Sequence, residues 1–330
     1  MFMACYFAPS LVSTDSMEFV PRRIAVLGAG AVGCYYGAVL ARAGRDVTLI
    51  ARPTHVEAIA RDGVRVLQGE REWRVPIGAT TGVEAARDAD LVLVTVKTPD
   101  TTAAVRTLVP WLRPETRLLS LQNGVDNAQR IAVAAAQPTY AAVVYVGAYM
   151  DGAGTVRHTG GGDLVLGAPR LAREPAVAVD ARRDLEAIVA MFGEAGIQCT
   201  IADEIDAALW TKLTINCAFN AVSGLGNSRY GRMAASPDVR AVMEEAVRET
   251  VAVGRAAGVP LDADGLIARV WQVAAMLDQQ YSSTAQDLQR GKATEIDALN
   301  GFVAQRGAEL GIATPVNRAL HALVKLRESA

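Results

Sequence analysis

The 330-residue chain is short of several residue types, and each shortage removes a class of protein from consideration. Lys and Arg total 33 against 35 Asp and Glu, so no cationic surplus exists to neutralise a phosphate backbone. Aromatic residues make up 5% of the chain, too few for a base-stacking surface. Nucleic acid is not an expected partner. The four cysteines, Cys5, Cys34, Cys199 and Cys217, fall in no metal-ligand spacing, and His55, His158 and His321 are just as scattered. Reduced thiols, a cytoplasmic location and no metal site are expected. No run of eighteen apolar residues occurs, so no membrane-spanning helix is expected. The apolar patch near the N-terminus has no Lys or Arg ahead of it, unlike a secretory signal. Residues 1–21 are read as a disordered extension, with Met17 as an alternative start.

What the chain does have is apolar content, 51%, in a length that favours two domains with a sizeable core. The first half alternates short β-rich runs with helical segments: "RIAVLGAG", a helix over Ala31 to Ala43, "DVTLIAR", "DLVLVTVKT" and "TRLLSLQNG". Such a βαβ series predicts a mostly parallel, doubly wound α/β sheet of Rossmann-like type with helices on both faces. "TYAAVVYVGAYM" and "TVRHTGGGDLVLGA" predict an antiparallel extension joined through a Gly-rich turn, followed by a helix from about Asp180 to Ala195 and a strand "IQCTIA". From Glu204 the pattern turns helical, with helices expected over Ile205–Gly224, Pro237–Ala257, Asp262–Gln280 and Glu295–Leu310. The expected domains are therefore 22–203, binding a nucleotide, and 204–330, all-helical.

In "IAVLGAGAVG", Gly28, Gly30 and Gly33 form G-x-G-x-x-G between a strand and a helix. Glycines there permit a tight turn, close approach of backbone to a pyrophosphate and close helix–strand packing, while the helix N-terminus offers N–H donors. The segment Gly28, Ala29, Gly30, Ala31, Val32, Gly33 is the candidate dinucleotide loop. NAD-binding versions end the second strand in a carboxylate, but this one ends "LIARP". Arg52 either meets a 2′-phosphate, which selects NADP(H), or is a solvated surface residue. "VLVTVKT" and "LLSLQNG" end in Lys97 and Asn123, at the strand ends where such folds open their cleft. Taken singly, Lys97 also reads as a surface charge and Asn123 as a turn-former before glycine.

"TKLTINCAFN" raises a different question. Lys212, Asn216 and Asn220 recur every four residues on an otherwise apolar helix, and so share one face. Left buried without partners, each amide would cost about 1–3 kcal/mol, so the stripe is either solvated or meets a ligand. A lysine flanking an apolar helix can also snorkel to water. "ATEID" reads either as a cap, with Thr294 at the N-cap, or as a source of a functional glutamate.

The segments "IAVLGAGAVG", "LIAR", "VTVKT", "SLQNG", "WTKLTINCAFN", "YSSTAQDLQRGKATEIDALNG" and "GIATPVN" together resemble the ketopantoate reductase family over about Ile24 to Lys325. The resemblance implies NADPH-dependent reduction of a small 2-oxo acid, ketopantoate, within pantothenate and coenzyme A synthesis. It implies Lys212 as proton donor, Glu295 as the second catalytic residue, and Asn216, Asn220, Ser283 and Asn123 at the substrate. Arg52, Lys97 and Asn123 match positions that bind the cofactor or border the substrate. Of the adjacent pair Ser282 and Ser283, only the family match selects the second. Two departures stand out: Thr284, where the family commonly has methionine, and "AVSGLGNSRYG" after Asn220, read as a loop without the Asn-Pro-rich pattern of some members. A reductase of another 2-oxo acid or an imine, and a non-catalytic NADP sensor, are the alternatives. A homodimer is compatible with the sequence.

Overall fold

The computed structural model describes residues 19–170 and 175–329. Most of the expected N-terminal extension, with Met17 and Cys5, lies outside the described residues. The first part of the chain runs β1 (Arg23–Leu27), α1 (Ala31–Arg42), β2 (Asp46–Ile50), α2 (Pro53–Asp62), β3 (Val64–Gln68), β4 (Arg71–Val75), β5 (Gly78–Thr80) and β6 (Leu91–Val94). It continues with α3 (Thr101–Leu108), β7 (Arg117–Ser120), α4 (Asn127–Ala134), β8 (Thr139–Met150), β9 (Thr155–Gly167), α5 (Pro175–Glu194) and β10 (Cys199–Ile201).

These strands make one sheet in the order β4-β3-β9-β8-β7-β6-β1-β2-β5, with β10 against β9. From β8 to β5 every pairing is parallel. Strands β1 and β6 are apolar throughout their buried length because helices cover both faces of a parallel sheet. Side chains alternate between the faces. Ile24, Val26, Leu91 and Leu93 enter the core under α1, whereas Ala25, Leu27, Val92 and Val94 enter the core on the other side. Beyond β8 the expected antiparallel partner is present as β9. The hairpin β3–β4, absent from the sequence reading, docks beside the first half of β9, leaving its second half for β10.

The chain leaves β1 toward β2 on one side and returns from β5 to β6 on the other. This reversal between β1 and β6 is the switch point at which open α/β sheets bind ligands. Gly28 sits there at φ +103°, and a Cβ on it would lie 2.9 Å from the Val96 backbone nitrogen.

The second part is helical: α6 (Ile205–Gly226), α7 (Tyr230–Ala234), α8 (Pro237–Ala256), α9 (Ala263–Met276), α10 (Ser283–Gln289), α11 (Asn300–Leu310) and α12 (Pro315–Glu328). Helix α6 is its axis and packs against α8, α9, α10 and α12. Trp210, Leu213, Cys217, Phe219 and Ala221 are all buried in this core. Three expectations need correction. The helix expected to end at Gly224 runs on to Gly226, so "AVSGLG", also read as loop, is the end of α6, which stops where Asn227 takes a left-handed φ of 42°. The helix expected from Glu295 begins only at Asn300, after a separate 3₁₀ turn over Ile296–Ala298. The helix expected over Asp262–Gln280 is the shorter α9, capped by the Asp262 carboxylate on the Gly265 N–H. Helix α12 was not foreseen. It is anchored through the buried Glu249 carboxylate, which accepts N–H bonds from Val316 and Asn317 at 2.8 Å.

The glycine loop separates two roles that one motif combines. A Cβ on Gly33 would come 2.1 Å from the Gly28 carbonyl oxygen and 2.6 Å from Thr95 Oγ1, whereas one on Gly30 meets nothing within 4 Å. Gly33→Ala is expected to destabilise the fold by about 1–3 kcal/mol. Gly30→Ala should stay below about 1 kcal/mol. Urea unfolding of the two variants checks this, and equal losses would show that the loop is not packed as described.

Candidate active site

Three of the sequence-predicted residues meet at the mouth of the cleft between the sheet and the helical part. The Lys212 ammonium donates to Asn123 Oδ1 at 2.9 Å and to the Val144 carbonyl at 2.6 Å. Asn123 Nδ2 in turn donates to Glu295 Oε2 at 2.8 Å. Glu295, implied by the resemblance as the second catalytic residue, reaches the lysine through the Asn123 amide rather than directly. The relay joins α6, the end of β7 and the turn before α11.

Asn123 is held from behind by residues that the sequence reading did not single out. Its carbonyl accepts from Thr98 Oγ1 at 3.1 Å and Asn127 Nδ2 at 2.6 Å. Asn127 Oδ1 accepts from Thr101, and Thr101 Oγ1 accepts from Gln122. These side chains come from three segments and have no shared spacing, so no sequence signal marks them.

Enclosure of Lys212 disfavours its charged form and lowers its pKa to about 8, while the Glu295 carboxylate pulls in the opposite direction. The ammonium thus loses its proton more readily than that of a solvated lysine.

The rest of the stripe lies along the same helix face. Asn216 is half-buried, and Asn220 is buried. Asn220 lends its backbone carbonyl to the Ser282 hydroxyl. Ser282 also caps α10, accepting from the Ala285 N–H at 3.0 Å. Its hydroxyl is thereby used in the fold, whereas Ser283 is exposed. Thr284 is buried with its methyl group against Gly224 of α6, which accounts for its departure from the family pattern as packing.

Lys97 does not join the Lys212 cluster. Its ammonium crosses to the helical part, donating to the Ala293 carbonyl at 2.6 Å and lying 3.7 Å from Asp287. Arg52 stands apart at the end of β2, exposed, as the N-cap residue of α2. The residues between them fit a dinucleotide. Gly30 leaves open space, the first turn of α1 has no acidic residue, and no carboxylate ends β2. Among the described residues no helix is long and apolar enough to cross a membrane, and no cluster of metal-ligating side chains occurs.

A doubly wound sheet with a lysine-bearing helical domain closing its cleft is the architecture of the two-domain dinucleotide-dependent oxidoreductases. The family models described as ketopantoate reductase PanE/ApbA and its C-terminal domain match residues 24–170 and 204–328. The chain belongs to the ketopantoate reductase family. It is 35% identical to the 2-dehydropantoate 2-reductase of Halobacterium salinarum over 93% of this chain and 99% of that one. Against the enzyme of the same name from Vibrio cholerae it is 33% identical, with 93% and 98% covered. A PanE/ApbA family ketopantoate reductase from Ralstonia eutropha superposes with a TM-score of 0.83 at 44% identity, covering 93% and 98%. A D-mandelate dehydrogenase bound to NADH and anilino(oxo)acetate has a TM-score of 0.85 at 22% identity, covering 93% and 98%, a likeness of fold alone.

The electrostatics of Lys212 can be read directly. A ¹³C-methylated Lys212 followed by NMR is expected to titrate with a midpoint near 8. Glu295→Gln removes the charge that favours the ammonium, so the midpoint should move to lower pH. A midpoint in the ordinary lysine range would show that the side chain is solvated.

Proposed function

We propose that this chain reduces ketopantoate to pantoate with NADPH, residues 22–203 holding the cofactor and 204–330 supplying the substrate wall and the proton donor. The observation that carries this reading is the Glu295, Asn123, Lys212 relay, which holds an ammonium of lowered pKa beside the amide stripe. The family relatives named 2-dehydropantoate 2-reductase support the same reaction.

When bound, the reduced nicotinamide supplies a hydride to C2 of the oxo acid. Negative charge then develops on the carbonyl oxygen, and the Lys212 ammonium meets it. Its N–H bond breaks as the O–H bond of the product forms, leaving a neutral amine that regains a proton from solvent. A pKa near 8 suits this transfer better than the ordinary lysine value. Asn123 fixes the direction of the ammonium, and Glu295 fixes Asn123. Asn216, Asn220 and Ser283 offer donors to the substrate carboxylate and hydroxyl. Arg52 would hold the 2′-phosphate through its planar fork, and the open space at Gly30 would leave room for the pyrophosphate.

The deciding experiment is NADPH consumption with a panel of 2-oxo acids. Ketopantoate should be used far better than 2-oxoisovalerate, which lacks its hydroxyl, because a site built to bond that group can reject the analogue by about 10⁴. Comparable efficiencies would assign the enzyme to another oxo acid. Lys212→Ala should keep the fold and NADPH binding yet lower kcat by about 10²–10⁴. Near-normal turnover in the folded variant would remove the lysine from its role. NADPH should bind at least about tenfold more tightly than NADH, the equivalent of roughly 1.5–3 kcal/mol for a charge-assisted contact. Equal dissociation constants, or a preference that survives Arg52→Ala, would take Arg52 out of cofactor selection.

A further inference from the structure

The glycine run inside β9, Gly160 to Gly162, has no part in the chemistry just described. Strands β8 and β9 lose register between Tyr145 and Val146, and again between Gly147 and Ala148. Opposite the first break lie Gly161 and Gly162, and Gly160 pairs with Gly147 between the two breaks; all three glycines have positive φ. A Cβ on Gly161 would lie 2.2 Å from the Tyr145 carbonyl oxygen, so the backbones approach this closely only because the residue is glycine. Irregularities of this kind re-aim a side chain. Here the break coincides with a change in exposure. Residues Ala141 to Val144 are buried, and Tyr145 is 45% exposed.

The exposed ring is not a stray surface aromatic. The Lys212 ammonium lies 5.9 Å from its centroid, and the carbonyl of the preceding residue, Val144, is one of the two acceptors that hold that ammonium. Strand β8 is also one strand farther than β7 from the switch point between β1 and β6. Asn123, at the end of β7, thus lies between the ring and the dinucleotide crevice. Burial pushes the phenol's pKa up, and the positive charge of Arg269 on α9 acts in the opposite direction.

We infer that the Tyr145 ring is the apolar wall on which the substituent at the substrate's carbonyl carbon packs, and that it selects 2-oxo acids with branched or planar side chains over small ones. The inference rests on the proposed function for the reaction itself. Chemically it follows from reach: a carbonyl oxygen bonded to the Lys212 ammonium brings its carbon, and the group attached to that carbon, to the face of the ring. Each methyl group packed there is worth roughly 10-fold or more in discrimination.

The test compares wild type, Tyr145→Ala and Tyr145→Phe with pyruvate, 2-oxoisovalerate, ketopantoate and phenylglyoxylate. Dissociation constants for NADPH, and for the matching 2-hydroxy acids in the presence of NADP⁺, accompany the kinetics. Tyr145→Ala should raise KM for the branched and aromatic acids by about 10–100-fold relative to pyruvate. Its NADPH affinity and the pH midpoint of kcat should not change. Tyr145→Phe should retain the wild-type preference, since it keeps the ring. An equal loss for all four acids, a shifted pH midpoint or weakened NADPH binding would overturn the assignment, placing the ring in support of Lys212 or against the cofactor. If wild type reduced none of the acids, the functional reading would fall. The ring would then be judged on hydroxy-acid binding, where unchanged selectivity in Tyr145→Ala overturns it.

Discussion

An ammonium taken out of water between two domains is the constraint on which the site depends. Burial lowers the Lys212 pKa to about 8, the Glu295 carboxylate opposes that fall, and two oxygens accept from the ammonium. One acceptor is a side chain at the end of β7 and the other is a backbone carbonyl of β8, while the carboxylate belongs to the turn before α11. Sheet and helices must therefore keep a fixed relation for the lysine to remain paired. The network behind Asn123, through Thr98, Asn127, Thr101 and Gln122, makes that relation rigid on the sheet side. The Glu249 anchor of α12 and the packing of α10 on α6 at Gly224 and Thr284 do the same on the helical side.

The cleft is consequently divided along its length. Near the switch point it is built from glycine, a helix N-terminus and Arg52, features suited to phosphates. Near Lys212 stand the Asn123 amide, the Val144 carbonyl and the Tyr145 ring. Lys97 ties the sheet to the segment between α10 and the turn at Ile296.

Several parts of this arrangement are legible in the residues themselves. The run "RIAVLGAGAVG" states a buried strand, a turn and a helix because full apolarity, glycine and small residues each have a single economical use there. The four-residue recurrence of Lys212, Asn216 and Asn220 fixes a shared face wherever the helix lies. Other features are not legible. Hairpin β3–β4 and helix α12 went unforeseen because their stability comes from docking on β9 and on Glu249, partners far away in the chain. The sequence alone also extends α11 back to Glu295, since nothing local announces that the turn must break so that the carboxylate can reach Asn123.

The contrast is clearest at paired choices. Ser282 and Ser283 are equivalent as residue types, and they differ only because the first is needed to cap α10 and bond Asn220. Tyr145 is one more aromatic in a β-rich run until the glycines opposite break the register and turn it outward. The amino-acid sequence by itself determined the periodicities, the glycine loop, the missing carboxylate after β2 and the polar stripe, because these depend on neighbours within one or two turns of chain. Only the tertiary structure decided that Glu295 reaches the lysine through Asn123, that Ser282 is tied up as a cap, and which ring stands beside the ammonium. Those outcomes depend on desolvation and hydrogen-bond geometry between segments that meet only once the chain has folded.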